Sequence, residues 1–133
     1  MDTSPGCIRV LVAEDNADLS AALRALVEQE PDMELAGAVD RCGDLLGAVR
    51  DGRAHVVVLD LDLGGESSVG PMRAVLHEVP RLAVVLYSGY DRCDLARALP
   101  SLGNYEYVAK SGDAAELLTA IRRAARGTPG AGR

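Results

Sequence analysis

The sequence predicts a doubly wound α/β domain with a single five-stranded parallel sheet, and three observations lead to that prediction. The chain has 133 residues, a length typical of one domain. Its composition, 48% hydrophobic and 26% charged, is that of a folded globular protein. Apolar runs alternate with helical patterns five times along the chain, and short polar or Gly/Pro breaks separate them. This alternation is typical of βα units built around a parallel sheet.

The strand candidates are short runs that are apolar on both faces, as buried parallel strands are. They are Ile8–Ala13, Met33–Val39, His55–Asp60, Leu82–Tyr87 and Tyr105–Ala109. The helix candidates lie between and after them, at 17–29, 43–51, 68–78, 92–100 and 113–126. The first helix has an apolar stripe of Leu19, Leu23, Leu26 and Val27. Asn16 and Asp91 are the predicted N-caps of the first and fourth helices.

Charge, cysteine content and the chain ends argue against several kinds of function. A net charge of -6 disfavours direct binding to nucleic acid or to anionic membranes. Cys7, Cys42 and Cys93 lack CxxC spacing, which indicates small buried residues in a reducing compartment. Neither a secretory signal nor an apolar run of the roughly 20 residues needed for a membrane span is present, so we expect a cytoplasmic protein. We expect one domain over 8–126, a flexible start over 1–7, and a flexible tail or truncated linker over 127–133.

Polar residues follow four of the predicted strands at the point where each strand ends. They are Glu14 and Asp15, then Asp60, then Ser88 and Gly89, and finally Lys110. In a doubly wound sheet the carboxyl ends of the strands share one crevice, so these side chains can meet. Two carboxylates about 4 Å apart repel by roughly 4 kcal/mol at an effective dielectric of about 20, so a cation has to enter. Oxygen ligands and an open site suit Mg²⁺, and an in-line carboxylate, most naturally Asp60, would accept a phosphoryl group.

Each of these residues also has a purely structural interpretation. Glu14 and Asp15 could be helix caps, Ser88 and Gly89 an ordinary turn, and Asp60 the start of a loop. The combination at four strand ends is what predicts a site. Lys110 is the only lysine among 14 cationic residues, which fits a need for a compact point charge. His55 and His77 share no strand end and are interpreted as structural.

Several segments resemble one known family over Ile8 to about Arg126. They are Ile8-Arg-Val-Leu-Val-Ala-Glu-Asp-Asn, Val56-Val-Val-Leu-Asp-Leu-Asp-Leu, Val84-Val-Leu-Tyr-Ser-Gly-Tyr, Tyr105-Glu-Tyr-Val-Ala-Lys and Ala114-Ala-Glu-Leu-Leu. In combination they are similar to the receiver domain of two-component response regulators. The resemblance implies a flavodoxin-like strand order, 2-1-3-4-5. The segment Glu30-Pro-Asp-Met-Glu-Leu-Ala-Gly is most similar to the branch with a C-terminal helix-turn-helix output.

The resemblance implies a magnesium-dependent phosphoacceptor site. It makes Asp60 the phosphorylated residue and makes Asp15, Asp60 and the main-chain carbonyl of Asp62 the ligands of Mg²⁺. Glu14 would hold the metal or a water bound to it. The donor would be a phosphohistidine on a sensor histidine kinase, or a small acyl phosphate. A domain of this kind assists its own phosphorylation and dephosphorylation and is not otherwise an enzyme.

The resemblance also implies a conformational switch. Lys110 would pair with the phosphoryl group, Ser88 would hydrogen-bond to it beside Gly89, and Tyr107 would rotate inward. The face built by the fourth helix, fifth strand and fifth helix would then change and control homodimer formation or a transcriptional output. DNA would be reached only through an output domain outside this chain. Tyr107 has a second interpretation, as ordinary packing at the sheet edge.

The sequence departs from the family pattern at several positions. The loop over 64–70 lacks the usual proline and is expected to be more mobile than most. Gly89 stands where alanine is common, and no proline follows Lys110. Asp62 and Tyr90 flank the expected path of attacking water, so they would tune the rate of phosphate loss with a sign the sequence does not give.

Three other functions are compatible with parts of the sequence. Val57-Val-Leu-Asp60-Leu-Asp62 resembles the DxD strand of haloacid-dehalogenase-type phosphatases, although that motif normally lies on a first strand. A flavodoxin-type cofactor binder is disfavoured because the acidic loop 14–18 would repel a cofactor phosphate. A pseudo-receiver, a binding module that is never phosphorylated, is disfavoured by the complete set of site side chains.

Overall fold

The computed structural model describes residues 7–89, 102–103 and 105–127. Within them, five strands form the main sheet: β1 (Ile8–Ala13), β2 (Met33–Val39), β3 (Val56–Leu59), β4 (Ala83–Ser88) and β5 (Tyr105–Ala109). The described helices are α1 (Ala17–Glu28), α2 (Leu45–Gly52), α3 (Val69–Glu78) and a helix over Ala114–Gly127, called the 114–127 helix. A 3₁₀ turn, Cys42–Asp44, leads into α2.

The main sheet is parallel throughout and has the order β2-β1-β3-β4-β5. This confirms the predicted flavodoxin-like arrangement. β1 pairs with β2 on one side and with β3 on the other. The chain therefore winds outward in both directions from the β1–β3 pair, and the crevice of such a sheet opens above that pair.

Each face of the sheet is covered by its own apolar cluster. Alternate strand residues such as Val12 and Val58 pack with α1 and the 114–127 helix, whereas Leu11 and Leu59 pack with α2 and α3. All four of these strand residues are buried. Burial on both faces explains why the strands are continuous apolar runs in the sequence.

The predicted elements match the structure closely, with small corrections. The bounds of β1, β2 and β5 are as predicted; β3 is shorter because His55 and Asp60 lie outside it, and β4 runs from Ala83 to Ser88 and not from Leu82 to Tyr87. The second helix begins at Leu45 because the 3₁₀ turn occupies the preceding residues. The predicted helix over 92–100, the predicted cap Asp91 and both predicted flexible ends, except Cys7 and Gly127, lie outside the described residues.

The segment expected to be a mobile loop forms a hairpin. Asp62–Leu63 pairs antiparallel with Glu66–Ser67, and we call residues 62–67 the site hairpin. Gly64 and Gly65 have φ values of 63° and 83°. Positive φ at both central residues is the geometry of a type I′ turn, which explains the Gly-Gly pair. The hairpin lies outside the main sheet, between β3 and α3.

The helix α2 ends in a Schellman motif with an unusual residue at its left-handed position. The Arg53 amide donates to the Arg50 carbonyl, and the Ala54 amide donates to the Val49 carbonyl. Arg53 has a φ of 51°, a conformation that usually selects glycine. The preceding Gly52 is the residue that could not carry a side chain, because its Cβ would collide with the Ala36 carbonyl of β2.

A surface ion-pair group joins the 114–127 helix to the turn between α1 and β2. Arg122 donates to both carboxylate oxygens of Asp32, at 2.8 and 2.9 Å, and to Glu30 at 2.7 Å. Hydrogen bonding to Arg122 lowers the pKa of Asp32 below its usual value, and the two acids raise the pKa of Arg122. The group connects two elements that are far apart in the chain.

The cysteines and histidines differ from expectation in part. Cys7 and Cys42 were predicted to be buried, but both are only half-buried. Cys93 lies outside the described residues. His55 has a structural contact, since its Nδ1 accepts a hydrogen bond from the Arg9 amide at 3.0 Å. No helix among the described residues is both long enough and apolar enough to cross a membrane.

Candidate functional site

The carboxyl ends of β1, β3, β4 and β5 bring the predicted polar residues to one place above the β1–β3 crevice. Ligand oxygens of Glu14, Asp15 and Asp60 all lie within 4.8 Å of one another. Glu14 and Asp60 are buried, whereas Asp15 is exposed. Asp15, Asp60, Asp62, Gly89 and Lys110 line an open pocket of about 410 Å³.

Lys110 is placed between the two buried carboxylates. Its Nζ lies 3.0 Å from Asp60 Oδ2 and 3.1 Å from Glu14 Oε1. The contact with Asp60 is a hydrogen bond, while the contact with Glu14 is an ion pair without hydrogen-bond geometry. Lys110 directly follows β5, and its amide donates to the Ser88 carbonyl at 2.9 Å. The end of β4 therefore holds the backbone of the lysine in place.

Main-chain amides orient the two acids that follow β1. The Asn16 amide donates to Glu14 Oε2 at 3.0 Å, and the Asn16 side chain accepts from the Leu19 amide at 2.9 Å. Asn16 is thus the N-cap of α1, as predicted. The Gly64 amide, at the tip of the site hairpin, donates to Asp15 Oδ2 at 3.0 Å.

Asp60 is held by the chain on both sides of it. Its amide donates to the Ala13 carbonyl of β1 at 3.0 Å, which extends the β1–β3 ladder by one residue. The hydroxyl of the fully buried Ser68 donates to the Asp60 carbonyl at 2.7 Å. Asp60 Oδ1 accepts from the Asp62 amide at 3.4 Å. Ser68 therefore closes the chain behind the site hairpin and anchors the backbone of Asp60.

The electrostatics of the site favour a bound cation. Burial raises the pKa of Glu14 above its usual value, and the Asp60 carboxylate raises it further, against the opposing effects of the Asn16 amide and Lys110. Burial lowers the pKa of Lys110, but its contacts with Asp60 and Glu14 outweigh burial and raise it. One ammonium is shared by two buried carboxylates, with a third acid beside them. Among the residues that the structure describes, the site therefore carries excess negative charge.

The residues present fit a magnesium ion. The ligand set is made of oxygen atoms only, and it lies at an open pocket that leaves room for water and a phosphate. Glu14 Oε1 is a buried carboxylate oxygen that pairs with the Lys110 ammonium but accepts no hydrogen bond among the described residues, so it retains the capacity to accept one from a metal-bound water. Asp62, whose main-chain carbonyl is the remaining predicted ligand, also lines this pocket.

The other predicted site residues occupy different surroundings. Ser88 is fully buried at the end of β4, and Gly89 follows it at the pocket. Asp62 is exposed on the first strand of the site hairpin. Tyr107 is half-buried on β5 and lines a separate pocket along the 114–127 helix, away from the carboxylates. Tyr90 lies outside the described residues.

Two contacts at the site were not predicted from the sequence. The Gly64 amide bond to Asp15 depends on the site hairpin, for which the Gly-Gly pair is a recognisable signal. The Ser68 bond to the Asp60 carbonyl has no such signal, because serine is common at the start of a helix.

Comparisons with known proteins agree with this geometry. The family model for the response regulator receiver domain matches residues 10–122. The chain is 25% identical over 122 residues to the transcriptional regulatory protein LiaR of Bacillus subtilis, covering 92% of this chain and 58% of that protein. It is 33% identical over 111 residues to a protein-glutamate methylesterase/protein-glutamine glutaminase of Myxococcus xanthus, covering 81% of this chain and 31% of that protein. The chain therefore spans about a third to three fifths of these relatives.

Solved structures show the same fold. A LuxR-family response regulator from Aurantimonas superposes with a TM-score of 0.83 at 23% identity, covering 92% of this chain and 87% of that chain. The response regulator domain of Thermotoga maritima CheB gives a TM-score of 0.82 at 20% identity, covering 92% of this chain and 99% of that chain. These findings replace the phosphatase and flavodoxin alternatives. The chain belongs to the receiver-domain family of response regulators.

Proposed function

We propose that this receiver domain is a phosphorylation-dependent signalling switch that takes a phosphoryl group onto Asp60 from a sensor histidine kinase. The observation that supports this most directly is the convergence of three acids and Lys110 at the carboxyl edge of the sheet. Asp60 is the acid that ends the central strand, and Lys110 contacts one of its carboxylate oxygens at 3.0 Å. Asp60 lines an open pocket, so a phosphoryl donor can reach its carboxylate.

The proposed transfer uses the residues as follows. A carboxylate oxygen of Asp60 attacks phosphorus, an O–P bond forms, and the P–N bond of phosphohistidine breaks. The electron pair of that bond stays on the imidazole, which takes a proton from solvent. With an acyl phosphate donor, the P–O bond breaks and a carboxylate leaves. Lys110 carries positive charge next to the transferred group, and Ser88 supplies a hydroxyl at the end of β4.

Magnesium is the proposed cofactor. When bound, the ion neutralises phosphoryl oxygens during the transfer. Asp15, Asp60 and the Asp62 carbonyl would hold it, and Glu14 would hold the ion or one of its waters. Glu14 and Lys110 form a fixed ion pair at 3.1 Å, which keeps the lysine next to the acceptor.

Phosphorylation is proposed to act by shifting an equilibrium between two conformations. A phosphoryl group on Asp60 adds charge-assisted hydrogen bonds only when Ser88 and Lys110 are close to it. Couplings of about 1–3 kcal/mol shift populations about 5- to 150-fold. The proposed readout is the face that includes β5, with Tyr107, and the 114–127 helix. That face would control homodimer formation or an output domain that binds DNA, as in the transcriptional regulators among the relatives.

The test is phosphorylation by acetyl phosphate with Mg²⁺, followed by intact-mass measurement. We expect a gain of one phosphoryl group in the wild-type protein and in Asp18→Asn, which changes an exposed acid in the first turn of α1. We expect no gain in Asp60→Asn. Size-exclusion chromatography of the phosphorylated protein then tests whether a dimer forms.

Two results would contradict the proposal. A wild-type protein that gains no phosphoryl group from acetyl phosphate or from any sensor kinase would be a pseudo-receiver. A phosphoryl group that persists in Asp60→Asn would place the acceptor elsewhere. An unchanged oligomeric state and an unchanged 105–127 region on phosphorylation would remove the proposed switch while leaving the transfer chemistry intact.

A further inference from the structure

The site hairpin reaches the candidate metal site with two main-chain amides, that of Asp62 at its base, which donates to Asp60 Oδ1, and that of Gly64 at its tip. The Gly64 amide donates to Asp15 Oδ2 at 3.0 Å, across 49 residues of sequence. Asp15 is the exposed member of the three-acid cluster, so water competes for its carboxylate. An exposed carboxylate without a fixed donor samples several rotamers, and ordering it costs entropy when a metal binds.

The hairpin itself is held against the turn that follows β2. A Cβ on Gly64 would lie 3.2 Å from the Asp40 carbonyl oxygen and 3.3 Å from Arg41 Cβ, so the tip of the hairpin packs closely on that turn. The Cys42 thiol lies 3.7 Å from the Leu63 carbonyl oxygen and 3.8 Å from the Ser67 carbonyl oxygen. The turn thus contacts both strands of the hairpin and fixes the position of the Gly64 amide.

We propose that the site hairpin is a positioning element for the metal site and that the Gly64 amide is its positioning group, acting through Asp15. This inference rests on the proposed function. The amide occupies one lone pair of Oδ2 and sets the orientation of the carboxylate, which has about four acceptor sites in all. The remaining sites stay available to the ion. Partners that orient a ligand in this way typically change metal affinity by about 10- to 100-fold.

Two adjacent glycines provide a matched pair of variants. Gly64 and Gly65 both have positive φ, so alanine strains the turn at either position. Only at Gly64 does the added Cβ meet the Asp40–Arg41 turn; at Gly65 it meets nothing within 4 Å. Gly64→Ala therefore forces a shift of a few tenths of an ångström between the hairpin tip and this turn, which we expect to weaken the bond from the Gly64 amide to Asp15. Gly65→Ala strains the same turn without this contact.

The experiment is a calorimetric titration of Mg²⁺ into the wild-type protein, Gly64→Ala and Gly65→Ala, with thermal unfolding of each in EDTA. We expect the Mg²⁺ dissociation constant to rise about tenfold in Gly64→Ala and less than threefold in Gly65→Ala. We expect both variants to lose thermal stability without metal, and Gly64→Ala to lose more, because its Cβ also presses on the Asp40–Arg41 turn. The rate of labelling by acetyl phosphate should fall in Gly64→Ala at low Mg²⁺ and recover at saturating Mg²⁺, which a general loss of structure would not produce.

A second change removes the donor without adding a side chain. Replacing the peptide bond before Gly64 by an ester deletes the Gly64 N–H. Replacing the peptide bond before Gly65 deletes the Gly65 N–H and retains the Gly64 donor. Weakened Mg²⁺ binding in the first ester alone supports the inference even if Gly64→Ala fails to fold. Equal Mg²⁺ affinity in the Gly64 ester and the wild type overturns the positioning role while leaving the proposed function in place. A wild-type protein that binds no Mg²⁺ overturns both.

Discussion

Replacing Lys110 by methionine removes the ammonium that lies between Glu14 and Asp60. The methionine keeps much of the side-chain volume, so the change is mainly one of charge. In the wild type each carboxylate oxygen lies about 3 Å from Nζ, an attraction of roughly 5 kcal/mol per pair at an effective dielectric of about 20. Losing one partner of a buried pair typically costs about 3–5 kcal/mol. The Lys110 side chain is 30% exposed, and water screens part of the loss. We therefore expect a cost of about 2 kcal/mol.

The assay is urea unfolding of the metal-free protein at pH 7, with Lys110→Arg as the matched variant that retains the charge. We expect Lys110→Arg to be more stable than Lys110→Met. Mg²⁺ should stabilise Lys110→Met more than the wild type, because the ion restores positive charge between the same carboxylates. The deficit of Lys110→Met should shrink as the pH falls from 7 towards the raised pKa of Glu14. The pKa of Glu14 is already raised by burial, so the folded protein binds that proton more tightly than the unfolded chain does.

The reasoning is refuted if Lys110→Met unfolds at the same urea concentration as the wild type at pH 7. It is also refuted if the deficit stays constant as the pH is lowered from 7 through the raised pKa of Glu14. In either case the two carboxylates would not depend on Lys110 for charge compensation, and the geometry of the site would have to be stabilised in another way.

Three further predictions concern stability at positions outside the acid cluster. Arg53→Gly should raise the free energy of unfolding by about 0.5–1 kcal/mol in urea denaturation, because glycine adopts the left-handed conformation without strain; an equal or lower stability would contradict this. Arg122→Gln should cost at most about 1 kcal/mol at pH 7, since the pairs with Asp32 and Glu30 are partly exposed. The pKa of Asp32 is lower in the folded protein than in the unfolded chain, so this contribution is present above the unfolded-state pKa and is lost as the pH falls through the folded-state pKa, where wild type and variant should converge. Asn16→Ala should cost about 1 kcal/mol through loss of the N-cap, yet leave Mg²⁺ binding unchanged in a calorimetric titration, because Glu14 is held by the Asn16 main chain.

The strands and helices could be predicted because an apolar run and a helical period of apolar residues are both local features of the sequence. The buried strands β1 and β3 are continuous apolar runs, and the apolar stripe of α1 has a helical period. The strand ends of a parallel sheet share one edge, so the placement of Glu14, Asp60 and Lys110 followed from the element order alone. Their convergence within a few ångströms is what the structure adds.

The contacts that orient the site could not be predicted in the same way. The Gly64 amide reaches Asp15 only because the site hairpin packs on the turn after β2, and that packing has no periodic signal. The same tertiary contact explains why a segment expected to be a mobile loop is a hairpin. The strained Arg53 is also invisible in sequence, since the adjacent Gly52 offers the more obvious cap. Gly52 is needed for another reason: the backbone of β2 lies too close to it for any side chain.

The most direct test of the account is chemical mapping of the phosphorylated residue. The protein is treated with acetyl phosphate in the presence or absence of Mg²⁺, and the acyl phosphate is reduced with borohydride, which converts a phosphorylated aspartate to homoserine. Peptide mass spectrometry then identifies the position. We expect homoserine at residue 60, and only when Mg²⁺ is present. Homoserine at another aspartate position, or none at residue 60 with Mg²⁺ present, would contradict this prediction.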